Sequence, residues 1–407
     1  MSPAVSLLSL MAAALGQPPG FAGAPPAPVT LPQARARATS GGPEVLLARQ
    51  REHLARAQID AVGALPNPTI GFTTASVTAK LTTSLLQPLP LFGQRSTGIA
   101  AARADAEAAH LDIEAVAVEA RLDVTAAWLE LWAAQQRGQL LEQAAADAAR
   151  VAEIAHDRFE TGSGPRLDQV RTTGERARAR AEADAAALAI PAASARLEVW
   201  LGPGAWRAEG EPAIGPLPDE GQALQQLFER HPALRRDRAQ ALAAAQHVRA
   251  EQRARWPVVT AQLAVAQDDP TTPGTDVIGG LSFEAPLLSL RGGAIAHARA
   301  QQALAELTAE TDLRRLTAQL GDAYRQSEAA ALRARALAND VLPSLEEALR
   351  MTEGGYRDGR LDLLRVLDAQ RAVLEARLAA LEARVTWQRA LAQLERAVGT
   401  AAEGEAR

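Results

Sequence analysis

Residues 354–368 read GGYRDGRLDLLRVLD, and residues 158–171 read RFETGSGPRLDQVR. Aligning the aromatic and the turn glycine puts Phe159 on Tyr356, Gly162 on Gly359, Leu167 on Leu364 and Val170 on Leu367, all 197 residues apart. The RLD triplet common to both is misleading, since Asp168 to Asp362 gives 194. Each stretch stops a very long helical pattern with one tight glycine turn and then restarts it.

The same offset organises the rest of the chain. Trp128 and Tyr324 lie 196 apart, as do Pro90-Leu91 and Pro286-Leu287, and Arg95 and Arg291, while Pro68 and Pro257 lie 189 apart. The length difference falls between Pro68 and Pro90. Each half therefore reads helix, short strand pair, very long helix, glycine turn, helix. A repeat this long is an internal duplication and not a solenoid array, and duplicated halves are common in membrane transport proteins.

Composition narrows the class. Among 407 residues, aromatics are 3% and alanine, arginine, leucine and glutamate dominate, the profile of long helices and coiled coils. Net charge is only -5 with the signs interspersed, which argues against a nucleic-acid partner. Lys80 is the only lysine, and cysteine is absent, so disulfides, zinc thiolate sites and a lipidated N-terminal cysteine are excluded.

Residues 4–15 form an apolar run too short to span a bilayer as a helix, followed by Gly16 and prolines. Residues 1–16 read as a secretory signal peptide, although no Lys or Arg precedes the run. Residues 17–30 read as a Pro-rich linker. The first repeat covers 31–202, a non-helical equatorial insert 203–220, the second repeat 221–399 and a flexible tail 400–407. Helical patterns over 44–62 and 221–255 stop at Leu65-Pro66-Asn67-Pro68 and Trp256-Pro257, where proline forbids continuation.

After each stop the period changes to two. Val259, Ala261, Leu263 and Val265 alternate with Thr260 and Gln262, and Val277, Leu281 and Phe283 alternate with Ser282 and Glu284. This predicts a two-faced hairpin over about 258–287 turned at 268–274, and a weaker one over about 69–87 turned near 76–80. The odd positions Val259, Leu263, Leu281 and Phe283 are the candidate lipid-facing set. A membrane-spanning strand needs about 9 to 11 residues, which the first hairpin barely supplies; the competing reading is a small soluble sheet. Residues 95–160 and 291–353 predict long helices, interrupted only at Pro343. Leu111, Ala115, Val118, Leu122, Thr125, Leu129 and Trp132 form a coiled-coil seam on a rod of roughly 90 Å. On heptads alone the chain is a structural coiled coil.

The hairpins decide otherwise. Four strands cannot close a barrel, and open edges are not tolerated in lipid. The smallest membrane barrels have about eight strands, so several copies must pool theirs in a closed ring.

The run from Val29-Thr30-Leu31 through Ala64-Leu65-Pro66-Asn67-Pro68, the segment Gln87-Pro88-Leu89-Pro90-Leu91-Phe92-Gly93-Gln94-Arg95 and the two aromatic-x-x-Gly turns resemble the TolC-type outer membrane efflux family. The pattern is closest to its heavy-metal, CzcC-like branch and covers about residues 29–400. The resemblance implies a mostly α chain with a small β part: a homotrimer whose pooled strands form a 12-stranded outer membrane β-barrel, continued by a periplasmic α-helical barrel. It also implies a passive exit duct docking through a periplasmic adaptor (membrane fusion) protein onto an inner-membrane efflux pump of the RND type. Such a duct is not an enzyme, sits in the cell outer membrane among its lipids, and needs no cofactor. A type I protein secretion channel would have the same fold, and a soluble periplasmic coiled-coil adaptor is the other alternative.

The chain departs from that family at several points. Aromatic girdle candidates are few: Phe72, Phe92, Trp256 and Phe283. The acidic pair that relatives often carry in the second turn is here Leu364-Arg365-Val366-Leu367-Asp368-Ala369, with Arg365 in place of the first acid. The expected adaptor-docking tips are Phe159, Gly162, Gly164, Arg166 and Leu167 in the first turn, and Tyr356, Arg357, Gly359 and Arg360 in the second. Arg365 and Asp368 are the expected periplasmic gate, able to pair with each other or with a neighbouring chain. The six histidines are scattered with no i, i+4 pair, so no catalytic or metal site is expected.

Overall fold

The computed structural model describes residues 25–74, 81–212, 217, 219–267, 274–284, 291–357 and 360–399. Expectations for 1–16, for the hairpin turns at 76–80 and 268–273, for Pro286-Leu287, for Gly359, for the Arg357 side chain and for the tail lie outside the described residues.

In chain order the elements are β1 (Ala27–Val29), α1 (Leu31–Gly41), α2 (Pro43–Gly63), β2 (Thr69–Thr73), β3 (Leu81–Leu89), α3 (Gln94–Glu160), α4 (Arg166–Leu201) and β4 (Trp206–Ala208). The second half continues with α5 (Glu220–Arg230), α6 (Pro232–Ala254), β5 (Val258–Gln267), β6 (Thr275–Glu284) and α7 (Gly292–Ala336). A π-helical turn (Leu337–Val341), α8 (Leu342–Arg357) and α9 (Leu363–Val398) complete it. The chain is mostly helical, with two separate sheets. Two compact units cut across the duplication: Met1–Ala38, Asp123–Gly215 and Ala329–Arg389 form one, and Thr39–Leu122, Pro216–Glu328 and Ala390–Arg407 the other.

The first unit contains both glycine turns. Its main core joins Val29, Ala34, Val124, Trp128, Leu131, Trp132, Leu197 and Val385. Where an extended linker and a non-helical insert were expected, β1 and β4 pair in parallel, Ala27 opposite Trp206 and Val29 opposite Ala208. The indole N–H of Trp128 donates to the Val29 carbonyl at 2.9 Å, and Arg35 Nε donates to Thr125 Oγ1 at 2.9 Å. These long-range partners satisfy polar groups that burial would otherwise leave costly. The helical run expected over 291–353 with its one internal proline at Pro343 is interrupted there, by a π-helical turn. Pro343 has no N–H to give, and its ring crowds the carbonyl four residues back; the strain is absorbed just upstream, where Leu342 N–H bonds the Leu337 carbonyl in π-helical register.

The second unit contains the larger sheet. Its core gathers Ala223, Leu227, Leu234, Leu320, Ala323, Leu394 and Val398. The single helix expected over 221–255 is two helices, because His231 before Pro232 is held extended at φ -59, ψ 120. His231 then caps α6, its Nδ1 accepting from Ala233 N–H at 3.2 Å while Nε2 donates to the Arg396 carbonyl at 3.2 Å. Burial holds the imidazole pKa below its ordinary value, which favours the neutral ring that can do both.

Candidate channel wall and docking tips

The four-stranded sheet has the order β2-β3-β5-β6, antiparallel throughout. Register follows from Ile70 opposite Leu85, Leu85 opposite Leu263, and Ala261 opposite Leu281. Because side chains alternate across a strand, one face carries Ile70, Phe72, Leu81, Leu85, Leu89, Val259, Leu263, Val265, Val277, Leu281 and Phe283. The other carries Thr69, Thr73, Thr82, Ser84, Thr260, Gln262, Asp276, Ser282 and Glu284, with Leu86, Pro88, Val258, Ala264, Ala266 and Ile278 as apolar members, just as Thr83 and Gln87 are polar members of the first face. A soluble sheet would turn the first set inward. Here Phe72 is 72% exposed, Leu281 65% and Phe283 63%, an unpartnered apolar face of the kind that marks an interaction surface.

Of the four expected lipid-facing residues, Leu263, Leu281 and Phe283 are exposed and Val259 is not, at 5%. Its neighbours across the ladder are Leu89 and Phe283, both larger than valine, whereas Leu263 has Gly279 on its β6 side. The short valine is covered by its flanking pairs. β5 and β6 each have ten residues and β3 nine, but β2 has five. Among the described residues the outer edges of β2 and β6 are unpaired, so one chain gives an open sheet and not a closed barrel.

Where the strands meet the helices, the chain is pinned into a corner. Phe92 and Trp256 stack with centroids 5.8 Å apart. Between them Gln94 accepts from Phe92 N–H at 3.0 Å and donates to the Trp256 and Pro257 carbonyls at 3.2 and 3.3 Å.

The glycine turns belong to the other unit. In the first, Gly162 takes φ 71, a region that costs an L side chain but not glycine. Its N–H bonds the Phe159 carbonyl at 3.0 Å, and Ser163 N–H bonds the Arg158 carbonyl at 2.8 Å, closing α3. Pro165 is extended and starts α4. Gly164 lies so close to Arg158 that an added Cβ would stand 3.0 Å from the Arg158 Cβ. Phe159, Arg166 and Leu167 are exposed, as an expected docking tip requires.

The second turn is built differently. Arg360 and Leu361 N–H both bond the Gly355 carbonyl, at 2.8 and 3.1 Å, and a Cβ on Gly355 would stand 2.6 Å from Leu361 Cδ1. Arg360 is exposed. Tyr356 is not part of the exposed tip. It is buried in a cluster with Leu363, Val366 and Leu367, against Val151. The guanidinium of Arg158 lies 5.0 Å from the centroid of its ring, so the first turn covers the aromatic of the second.

Arg365 and Asp368 are both exposed, yet within this chain Arg365 turns to Asp362 and not to Asp368. Asp362 Oδ1 accepts from Arg365 N–H at 3.3 Å and lies 3.8 Å from its Nε. The reason is local: Asp362 precedes α9, where a carboxylate caps free N–H groups and draws the arginine back with it. Asp362 and the Arg158–Tyr356 contact were not singled out from the sequence. An acid just before a helical restart was the available signal for the first; nothing local announces the second.

Among the described residues no helix is long and apolar enough to cross a membrane, and no group of three or more His, Cys, Asp or Glu could hold a metal ion. Residues 34–203 and 223–400 match the family model described as outer membrane efflux protein. The chain is 27% identical over 341 residues to the cobalt-zinc-cadmium resistance protein CzcC of Cupriavidus metallidurans, covering 82% of this chain and 81% of that protein. The fold is shared with the outer membrane protein VceC of Vibrio cholerae, at TM-score 0.72 and 18% identity over 91% of this chain and 96% of that one. It is shared also with CusC, a protein described as forming a transmembrane channel, at TM-score 0.74 and 18% identity over 90% of this chain and 91% of that one. Members of the matched family are efflux channels of the outer membrane and not enzymes. With both halves of the duplication inside the matched residues, this chain belongs to the outer membrane efflux protein family.

Proposed function

We propose that three copies of this chain pool their strands into one closed 12-stranded barrel in the outer membrane and act as the passive exit duct of a tripartite efflux system. The observation that carries this reading is the sheet: an exposed apolar face backed by a hydroxyl-rich one, with both edges unpaired among the described residues. Closure would satisfy the edges, turn the apolar face to lipid and line the lumen with Thr, Ser and Gln. Residues 1–16 serve as the signal for export, and the helical part lies in the periplasm. Phe159, Gly162, Gly164, Arg166 and Leu167, with Arg357, Gly359 and Arg360, form the surface offered to a periplasmic adaptor on an inner-membrane RND pump. Divalent transition-metal ions are the proposed cargo, by relation to the cobalt-zinc-cadmium resistance protein.

The detergent-solubilised protein is expected to sediment as a trimer and to stay with outer membranes after a carbonate wash; a monodisperse folded monomer overturns the assembly. Leu281→Arg is expected to cost about 2 to 4 kcal/mol per copy near the bilayer midplane, with Ser282→Arg tolerated. Equal effects at both positions would favour a soluble sheet. Arg365 and Asp368 form the proposed gate through pairs with neighbouring copies. Replacing both with alanine is expected to raise single-channel conductance in planar bilayers, and unchanged conductance places the gate elsewhere. Cargo is tested by metal sensitivity of a deletion strain, restored by the wild-type chain and not by a variant with a bulky β-branched residue at position 359.

A further inference from the structure

The apolar face of the sheet ends at the Leu89–Val259 pair. Three residues beyond each of these stand Phe92 and Trp256, stacked and fixed by Gln94. Leu91 beside them is 65% exposed. At the same end of the strands four arginines follow: Arg95, Arg253, Arg255 and Arg291, all exposed. Two are already engaged, Arg95 Nε donating to the Gly63 carbonyl at 2.7 Å and Arg291 pairing with Glu251 at 3.0 Å. Arg253 and Arg255 have no ion-pair partner among the described residues. Arg253 lies against the corner, its Cδ 3.9 Å from where a Cβ on Gly93 would be. On the described residues of β2, β3, β5 and β6 the only ionisable side chains are Asp276 and Glu284, both on the opposite, polar face.

We propose that Arg253 and Arg255, beside the Phe92–Trp256 stack at the helical end of the sheet, bind the phosphate of an anionic phospholipid headgroup. This rests on the reading of the sheet as lipid-facing. Continuity decides the occupant: the positive pair stands where the exposed apolar face stops, so one molecule can lay its acyl chains on Leu89, Leu85 and Leu281 and bring its phosphate to the guanidinium groups. Trp256 suits headgroup depth because its ring is apolar while its indole N–H can stay in water, and Phe92 stacks on that ring. Guanidinium binds phosphate through paired N–H donors, which lysine cannot reproduce. The corner is rigid before lipid arrives, so little ordering is needed on binding. In a ring of several copies the pair would repeat around the barrel as a charged belt at one depth.

The test is lipid retention by the intact protein, measured by native mass spectrometry after exchange from mixed micelles holding equal phosphatidylglycerol and phosphatidylcholine. Phosphatidylglycerol is expected to be retained preferentially, and R253Q/R255Q to weaken that preference by about fivefold for each arginine removed. A control pair in the other unit, R171Q/R176Q, is expected to leave it unchanged. Wild-type preference should fall in about 0.5 M NaCl, where screening is strong. That arm stands even if the double variant folds poorly. Equal retention of the two lipids, or a preference unaffected by R253Q/R255Q, overturns the proposal. So does inorganic phosphate competing as well as the lipid, which would make the corner a plain anion site. Failure of the wild type to insert into vesicles of either lipid would instead overturn the lipid-facing reading beneath it.

Discussion

The two glycine turns descend from one sequence plan and have taken opposite parts. In the first, Phe159 is 38% exposed and Val170 60%; their equivalents in the second, Tyr356 and Leu367, are 9% and 8% exposed. Arg158, the residue before the exposed aromatic, lies over the buried one. Duplication supplied two equal turns, and packing made one of them cover and the other core. A conserved offset of 197 therefore transfers backbone geometry between the halves but does not transfer burial.

The largest break in this comparison should come from truncating the two aromatics. Tyr356→Ala is expected to cost about 3 to 5 kcal/mol, as for other large side chains removed from a packed site, and Phe159→Ala under about 1 kcal/mol. Guanidinium unfolding of both variants checks this, and equal losses would mean the turns are equivalent after all. Next comes the backbone. Gly162→Ala forces an L residue into φ 71 and should cost about 1 to 2 kcal/mol.

Smaller still is the contact between the turns, where Arg158→Ala should cost about 0.5 to 1 kcal/mol. In a double-mutant cycle with Tyr356→Phe the coupling should persist, because the ring and not the hydroxyl faces the cation. The smallest effect is expected at Gly355→Ala. The gain of about 1 kcal/mol from replacing glycine within a helix offsets the displacement of Leu361, whose Cδ1 lies 2.6 Å from the new methyl. A net change near zero there, beside a clear loss at Gly162, would show that the two turns use glycine for different reasons: conformation in the first, clearance in the second.

Local signals in the chain were enough to place the turns, the proline stops and the alternating strands. The two-residue period over Val259, Leu263, Leu281 and Phe283 fixes which side chains share a face whatever the strand pairs with. Gly162 could be assigned a turn because few other residues accept its φ. Proline at 66, 68 and 257 ended helices because the missing N–H is a property of the residue itself. Pro232 and Pro343 carried the same information, and the break and the π-turn they impose were within reach of the same rule.

What tertiary structure decided is everything that depends on a partner distant in the chain. The linker and the insert become strands only because β1 and β4 meet, and two three-residue strands have no pattern of their own to betray them. Val259 shares its period with Leu263, yet it is covered because Leu89 and Phe283 happen to stand opposite it. Arg365 sits three residues from both Asp362 and Asp368, and spacing cannot choose between them; the capping position of Asp362 at the start of α9 does. Periodicity and backbone restriction act within a few residues and are written in order along the chain, whereas burial and pairing depend on which surfaces meet, and those contacts exist only once the chain has folded.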